Sequence, residues 1–204
     1  MVGKVSERRE ALRQTLVEVA ESMVAHEGLS ALRARDVAKE AGCALGAIYL
    51  HFPDMDALAA AVNARTLQRL EGEVAEAFEA AQARDNPKRA LATLGTTYAQ
   101  FVWENPKLWS AIFELGFRQG EAAEPPQSPE HFRLLAAIVA PLRALLPDGD
   151  PAVIEAHARA LFSAVHGIVS LSQQRRFMAV ERDQVAGEIS FIVNAFCDGV
   201  SASK

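Results

Sequence analysis

Cysteine is scarce. Cys43 and Cys197 are the only two in 204 residues, far apart and without C-x-x-C spacing. This excludes a disulfide framework or a thiolate metal site, and a reduced compartment follows. Cys43 stands in a turn, either as a small core residue or as a thiol sensor. The 12 glycines and 9 prolines are confined to a few places, and no stretch alternates apolar with polar residues as a half-buried strand does. Catalytic signatures are missing too: there is no G-x-S-x-G elbow, G-x-x-x-x-G-K-S/T loop, G-x-G-x-x-G or H-E-x-x-H. The histidines, His26, His51, His131, His157 and His166, are scattered, and no carboxylates can be assigned to join His157 and His166 around a metal. The expectation is therefore a protein that is not an enzyme, with no catalytic residue, metal or cofactor. No run approaches the roughly 20 apolar residues of a membrane span, and the N-terminus lacks a signal-peptide core. A cytoplasmic protein with no membrane partner is expected. Positive charge is not in excess either: 21 Lys+Arg against 26 Asp+Glu give −5, which by itself argues against a nucleic-acid partner.

What is present is helical. Half the residues are apolar, Ala and Leu dominate, and apolar positions recur at three and four residues, which gives an all-α chain. Helices are expected over 6–26, with Leu12, Leu16, Val19 and Met23 as one stripe, and from Asp54, an N-cap, to about 82. Asn86-Pro87 opens another that runs to Glu104. A shorter one carries Leu108, Trp109, Ile112, Phe113 and Phe117. Residues 118–128 read as a loop because of Pro125-Pro126. A helix from Ser128-Pro129 contains Pro141, where a kink is expected. The last pair spans about 151–176 and 182–200, apolar over a wide arc (Ile154, Leu161, Val165, Ile168 and Leu171; Val185, Ile189, Ile192, Val193 and Phe196), so each needs two burial partners. A second subunit is the expected outer one.

The most informative stretch is 32–52, LRARDVAKEAGCALGAIYLHF. Val37, Ala38 and Ala41 mark one helical face, Gly42 stops that helix in a left-handed conformation, and a second apolar run begins at Leu45. Two helices so close, with glycine between them, cross steeply as in a helix-turn-helix. Local charge is kinder to DNA than the total. In residues 1–52 Lys4, Arg8, Arg9, Arg13, Arg33, Arg35 and Lys39 balance Glu7, Glu10, Glu18, Glu21, Glu27, Asp36 and Glu40, so the rest of the chain carries the whole deficit.

Gly28, Asp36-Val37-Ala38, Ala41-Gly42, Gly46-Ala47-Ile48-Tyr49, His51-Phe52 and Leu58 resemble the pattern of the TetR family of bacterial repressors. The resemblance implies an all-α fold of about nine helices. An N-terminal three-helix helix-turn-helix domain, residues 1–62, would precede a larger ligand-binding and dimerisation domain, residues 63–204. It implies a ligand-responsive repressor, homodimeric through its last two helices, released from a double-stranded operator by a small, mostly apolar inducer. It assigns phosphate contacts to Tyr49 and His51, groove-facing positions to Ala44, Leu45, Gly46 and Ala47, and a phosphate or guanine contact to Arg33. Arg8, Arg9 and Arg13 are either further phosphate contacts or a solvated face. Several positions depart from the pattern: Ala44 replaces a capping Ser/Thr, Leu45 and Leu50 stand where polar or basic residues are usual, and Met55 replaces a phosphate-gripping lysine. These departures support the alternative, a dimeric small-molecule-binding protein whose sequence-specific DNA reading has decayed. Phe162 to Gly167 resembles the W-x-x-x-H-G motif of one subgroup, with Phe162 at the tryptophan position. His166 is then either a satisfied structural histidine or a ligand contact. With Tyr98, Phe101, Trp103, Trp109, Phe113 and Phe117, Phe162 and His166 make the candidate ligand pocket, where aromatic residues either line a cavity or fill the core.

Overall fold

The computed structural model describes residues 2–81, 86–119 and 129–202. Among them are nine α-helices, one short 3-10 turn and no strand. The helices are α1 (Val2–Glu27), α2 (Ala34–Glu40), α3 (Leu45–Tyr49), α4 (Met55–Ala80), α5 (Pro87–Glu104), α6 (Pro106–Gln119), α7 (Pro129–Leu145), α8 (Pro151–Gln173) and α9 (Val185–Ala202), with the 3-10 turn at Leu29–Ala31.

Local chemistry sets the boundaries. Asp54 Oδ1 accepts from the Ala57 amide at 2.7 Å, Asn86 Oδ1 from Arg89 at 3.0 Å and Asp150 Oδ1 from Ala152 at 2.7 Å, each satisfying a free amide at a helix start. Gly42, φ 64°, turns the chain between α2 and α3. Ala44 is the N-cap of α3 and gives no side-chain bond, so α3 begins without the stabilisation of about 1 kcal/mol that a Ser or Thr contributes. Several ends differ from expectation, among them those of α9, which runs from Val185 to Ala202. α1 begins at Val2, and α4 stops at Ala80. α8 stops at Gln173, since Arg175 takes φ 49° and cannot extend it. α7 continues through Pro141. Arg118 and Gln119, expected in a loop, belong to α6; 120–128 lie outside the described residues.

The chain forms two compact units. The first holds residues up to Leu67 together with α6. Its core gathers Leu16, Ala20 and Val24 of α1, Val37 and Ala38 of α2, Ile48 of α3, Phe52, Leu58 and Val62, with Leu108, Ala111 and Leu115 of α6. Asn63 Nδ2 donates to the Ala111 carbonyl at 3.2 Å, and Lys107 donates to the His26 carbonyl. The sequence expectation grouped α6 with residues 63–204; its apolar stripe was visible, but not the helix it packs on. The cut inside α4 falls between Leu67 and Gln68.

The second unit contains the rest of α4 with α5, α7, α8 and α9. α5 packs on α7, α8 and α9, burying Leu91, Tyr98, Ala99, Phe101 and Val102 against Leu142, Ile154, Leu161, Val165, Ile189 and Val193. Gly95 permits this closeness, because a Cβ there would lie 2.7 Å from Ile189 Cγ2. Gly95→Ala is expected to lower stability by about 1–3 kcal/mol through overpacking. Gly72→Ala, where nothing lies within 4 Å of the added carbon, is expected to raise it by up to about 1 kcal/mol from helix propensity. Urea titration of the two variants checks the opposite signs.

Candidate functional site

The helix-turn-helix is built from inside outward. Ile48 is wholly buried, with Val37 and Phe52 beside it in the same core. Fixing Ile48 inward turns the other side of α3 outward: Tyr49 is 50% and Leu50 70% exposed. Leu45, Ala44 and Gly46 are exposed too, while Ala47 and His51 are half-buried. Arg33, the extended N-cap of α2, is exposed. The residues assigned to DNA are therefore open to solvent, except that Ala47 and His51 are partly covered.

Two of the α1 arginines are engaged within the unit. Arg9 Nη2 donates to the Leu50 carbonyl at 3.0 Å, satisfying an acceptor at the C-terminal end of α3 that the helix itself leaves open. The Arg13 guanidinium stands 5.1 Å from the Phe52 ring centroid, within cation–π range. Arg9 thus closes the end of α3, a role no spacing rule could reveal because its partner is a backbone atom 41 positions away.

In the second unit, Tyr98, Phe162 and His166 come together. The Tyr98 hydroxyl and His166 Nδ1 share a hydrogen bond of 2.9 Å. The Phe162 ring centroid lies 6.2 Å from Tyr98 and 5.4 Å from His166. Burial pushes the imidazole below its ordinary pKa, favouring a neutral ring that keeps one donor and one acceptor. A histidine lowered on folding binds fewer protons than it does unfolded, so its contribution to stability is complete above the unfolded pKa and is lost as pH falls through it. Native protein is expected to lose stability from pH 7.5 towards about pH 5 more steeply than His166→Gln, measured by urea titration at each pH.

The other candidate pocket residues are distributed differently. Phe101 is fully buried, with the Arg69 guanidinium 5.9 Å from its ring. Trp103 is half-buried and carries Arg182 at 5.0 Å. Trp109 and Phe113 pair at 5.0 Å, but on α6, in the first unit. The Phe117 side chain lies outside the described residues, as does that of His131. The Cys197 thiol is buried, and burial chiefly raises its pKa, which makes it unreactive.

α8 and α9 each keep an uncovered side. On α8, Val153, His157, Ala160, Ala164, Gly167 and Leu171 recur at steps of four and three, all exposed or half-buried and none of them charged when histidine is neutral. On α9, Phe191 is 68% exposed. Against the sequence expectation, both helices are long and apolar enough by length and composition to cross a membrane, with mean hydropathy of 1.2. The core helices of soluble proteins meet the same measure, and one side of each helix, Ile154, Ala158, Leu161, Val165 and Val169 on α8 and Val185, Ile189, Val193 and Cys197 on α9, is already buried.

Two family models match the chain: "Bacterial regulatory proteins, tetR family" over residues 16–62, and "Tetracyclin repressor-like, C-terminal domain" over residues 91–189. No curated protein matches. Among solved structures, a protein of unknown function from Rhodococcus sp. RHA1 is similar at 24% identity and TM-score 0.69, over 92% of this chain and 94% of that one. A TetR transcriptional regulator from the same organism is similar at 17% identity and TM-score 0.63, over 92% and 96%. RolR in complex with resorcinol is similar at 17% identity and TM-score 0.65, over 98% and 97%. At these identities the structures speak to the fold.

Proposed function

Since the chain belongs to the TetR family, we propose that it is a cytoplasmic, homodimeric repressor, not an enzyme, released from its operator by a small, mostly apolar molecule. The observation that carries the reading is α3. Ile48 is buried in the core while Leu45, Tyr49, Leu50 and Arg33 are exposed, which leaves a helix face open to the major groove. In this reading Tyr49, His51 and Arg33 hold phosphates or a guanine edge. Leu45 and Ala47 meet thymine methyls, and Ala44 and Gly46 allow close approach. Dimerisation through the uncovered sides of α8 and α9 sets two reading helices roughly 35 Å apart, one turn of DNA.

The inducer site centres on Tyr98, Phe162 and His166, an apolar setting with a polar pair that suits a small hydroxylated aromatic. RolR holds resorcinol, so a small phenol is the first probe. Such a ligand shifts the dimer only by its difference in affinity between the DNA-binding geometry and the other. Phe101 and Trp103 of the same unit then support the core around the site or extend it. The test is selection from random duplexes, followed by footprinting. Recovery of a two-fold symmetric sequence bound by two copies or more supports the repressor, and recovery of no sequence contradicts it. The alternative, a dimeric ligand-binding protein whose DNA reading has decayed, is favoured by the exposure of Leu50 and by Met55 at the lysine position. It predicts that no sequence is recovered while small ligands still bind.

A further inference from the structure

The turn between α8 and α9 presents two large apolar side chains to solvent: Phe177 is 94% and Met178 84% exposed. The turn is not slack. Arg175 and Met178 take φ of 49° and 61°, a left-handed conformation that side chains other than glycine adopt at a cost. Backbone bonds from Arg175 to Ser172, Arg176 to Leu171 and Ala179 to Arg176 hold it. A strained, hydrogen-bonded turn that raises a Phe-Met tip behind two arginines has the form of a docking element.

The opposite end of the same unit carries a cleft of about 580 Å³, lined by Leu146, Asp148, Gly149, Val153, His157, Gly199 and Val200. Its floor is apolar and its charged member is acidic, the complement of the Arg-Arg-Phe-Met tip. Tip and cleft lie at opposite ends of α8, joined by the uncharged seam of Val153, His157, Ala160, Ala164, Gly167 and Leu171. Steps of four and three are those of a helix that packs along another helix, and Ala160, Ala164 and Gly167 allow close approach at its middle.

We propose that two copies pack antiparallel along this seam, with the Phe177–Met178 tip of each seated in the cleft of the other. The inference rests on the homodimer reading above. A two-fold axis near the middle of the seam makes the contact isologous, so tip meets cleft twice. At 1.5 Å per residue the seam from Val153 to Leu171 is about 27 Å long, and antiparallel packing about its midpoint sets each end on the opposite end of the partner's seam. A parallel pairing would instead bring the arginines of both tips together and the two Asp148 carboxylates together. Antiparallel pairing sets Arg175 and Arg176 beside the partner's Asp148.

The experiment mixes two differently tagged full-length chains, Val153→Cys and Phe177→Cys, and treats them with a short bifunctional maleimide. The unsubstituted chain, which keeps Cys43 and Cys197, is the control, and sedimentation velocity measures oligomeric state beforehand. The expected result is a dimer in which cross-linking joins the two tags, while neither variant alone forms a covalent dimer above the control. Phe177→Ser and Asp148→Arg are each expected to weaken the dimer at least tenfold with the helical circular dichroism unchanged. A dimer whose Phe177→Cys chains link to one another, or that links no Val153→Cys to Phe177→Cys, overturns the tip-in-cleft contact and leaves the homodimer standing. A monomer overturns the homodimer reading and with it this one.

Discussion

Tyr49→Ala combined with Arg33→Ala is expected to cost roughly 2–4 kcal/mol of operator binding, about 30- to 700-fold in affinity, with the melting temperature unchanged. Both side chains are exposed, and neither contributes to the core that fixes Ile48, so the loss would fall on DNA contact and spare the fold. Fluorescence anisotropy on the selected duplex measures it. A phosphate contact and a base contact separate in the same assay: removing the first weakens every sequence alike and flattens the dependence on salt, while removing the second relaxes preference at one position. Arg9→Ala is expected to behave otherwise. Its guanidinium is committed to the Leu50 carbonyl, so affinity would fall while the salt slope stays as it is.

Phe101→Ala is expected to destabilise the protein by about 3–5 kcal/mol. The ring is wholly buried in α5, the helix that packs on α7, α8 and α9 together, and no smaller side chain fills the space it leaves. That is a large share of a net stability of about 5–15 kcal/mol. Urea unfolding followed by circular dichroism reads it as a lower midpoint. A loss under about 1 kcal/mol would mean that the surrounding helices close the cavity by moving, contrary to a core organised on α5.

Much of the fold was legible because its signals are local. Gly42 between two apolar runs, Asp54 before the long helix and Asn86 before Pro87 act within a few residues of where they stand, and the structure realises each one. The outward positions of α3 rest instead on the family resemblance; the structure buries Ile48 and exposes Leu45, Tyr49 and Leu50. What sequence could not show is set by contacts between distant segments. α6 displays an apolar stripe, but nothing local says that α1 covers it. The aromatic residues from Tyr98 to Phe117 form one group along the chain, yet Asn105 separates α5 from α6, and those helices belong to different units. Tyr98 instead meets Phe162 and His166, more than sixty positions on. The exposed turn at Phe177 is hidden from the sequence for a similar reason. Its left-handed residues are Arg175 and Met178, and neither type announces that conformation as glycine does.

The central claim is that this chain reads a DNA sequence. Anisotropy of the purified protein against the duplex upstream of its own gene, with an unrelated duplex as control and salt raised in steps, tests it most directly. The account predicts a preference for the upstream duplex that survives at physiological salt, with two copies or more on each site. Equal binding to both duplexes, erased together as salt rises, and no duplex recovered by random-site selection, would contradict it.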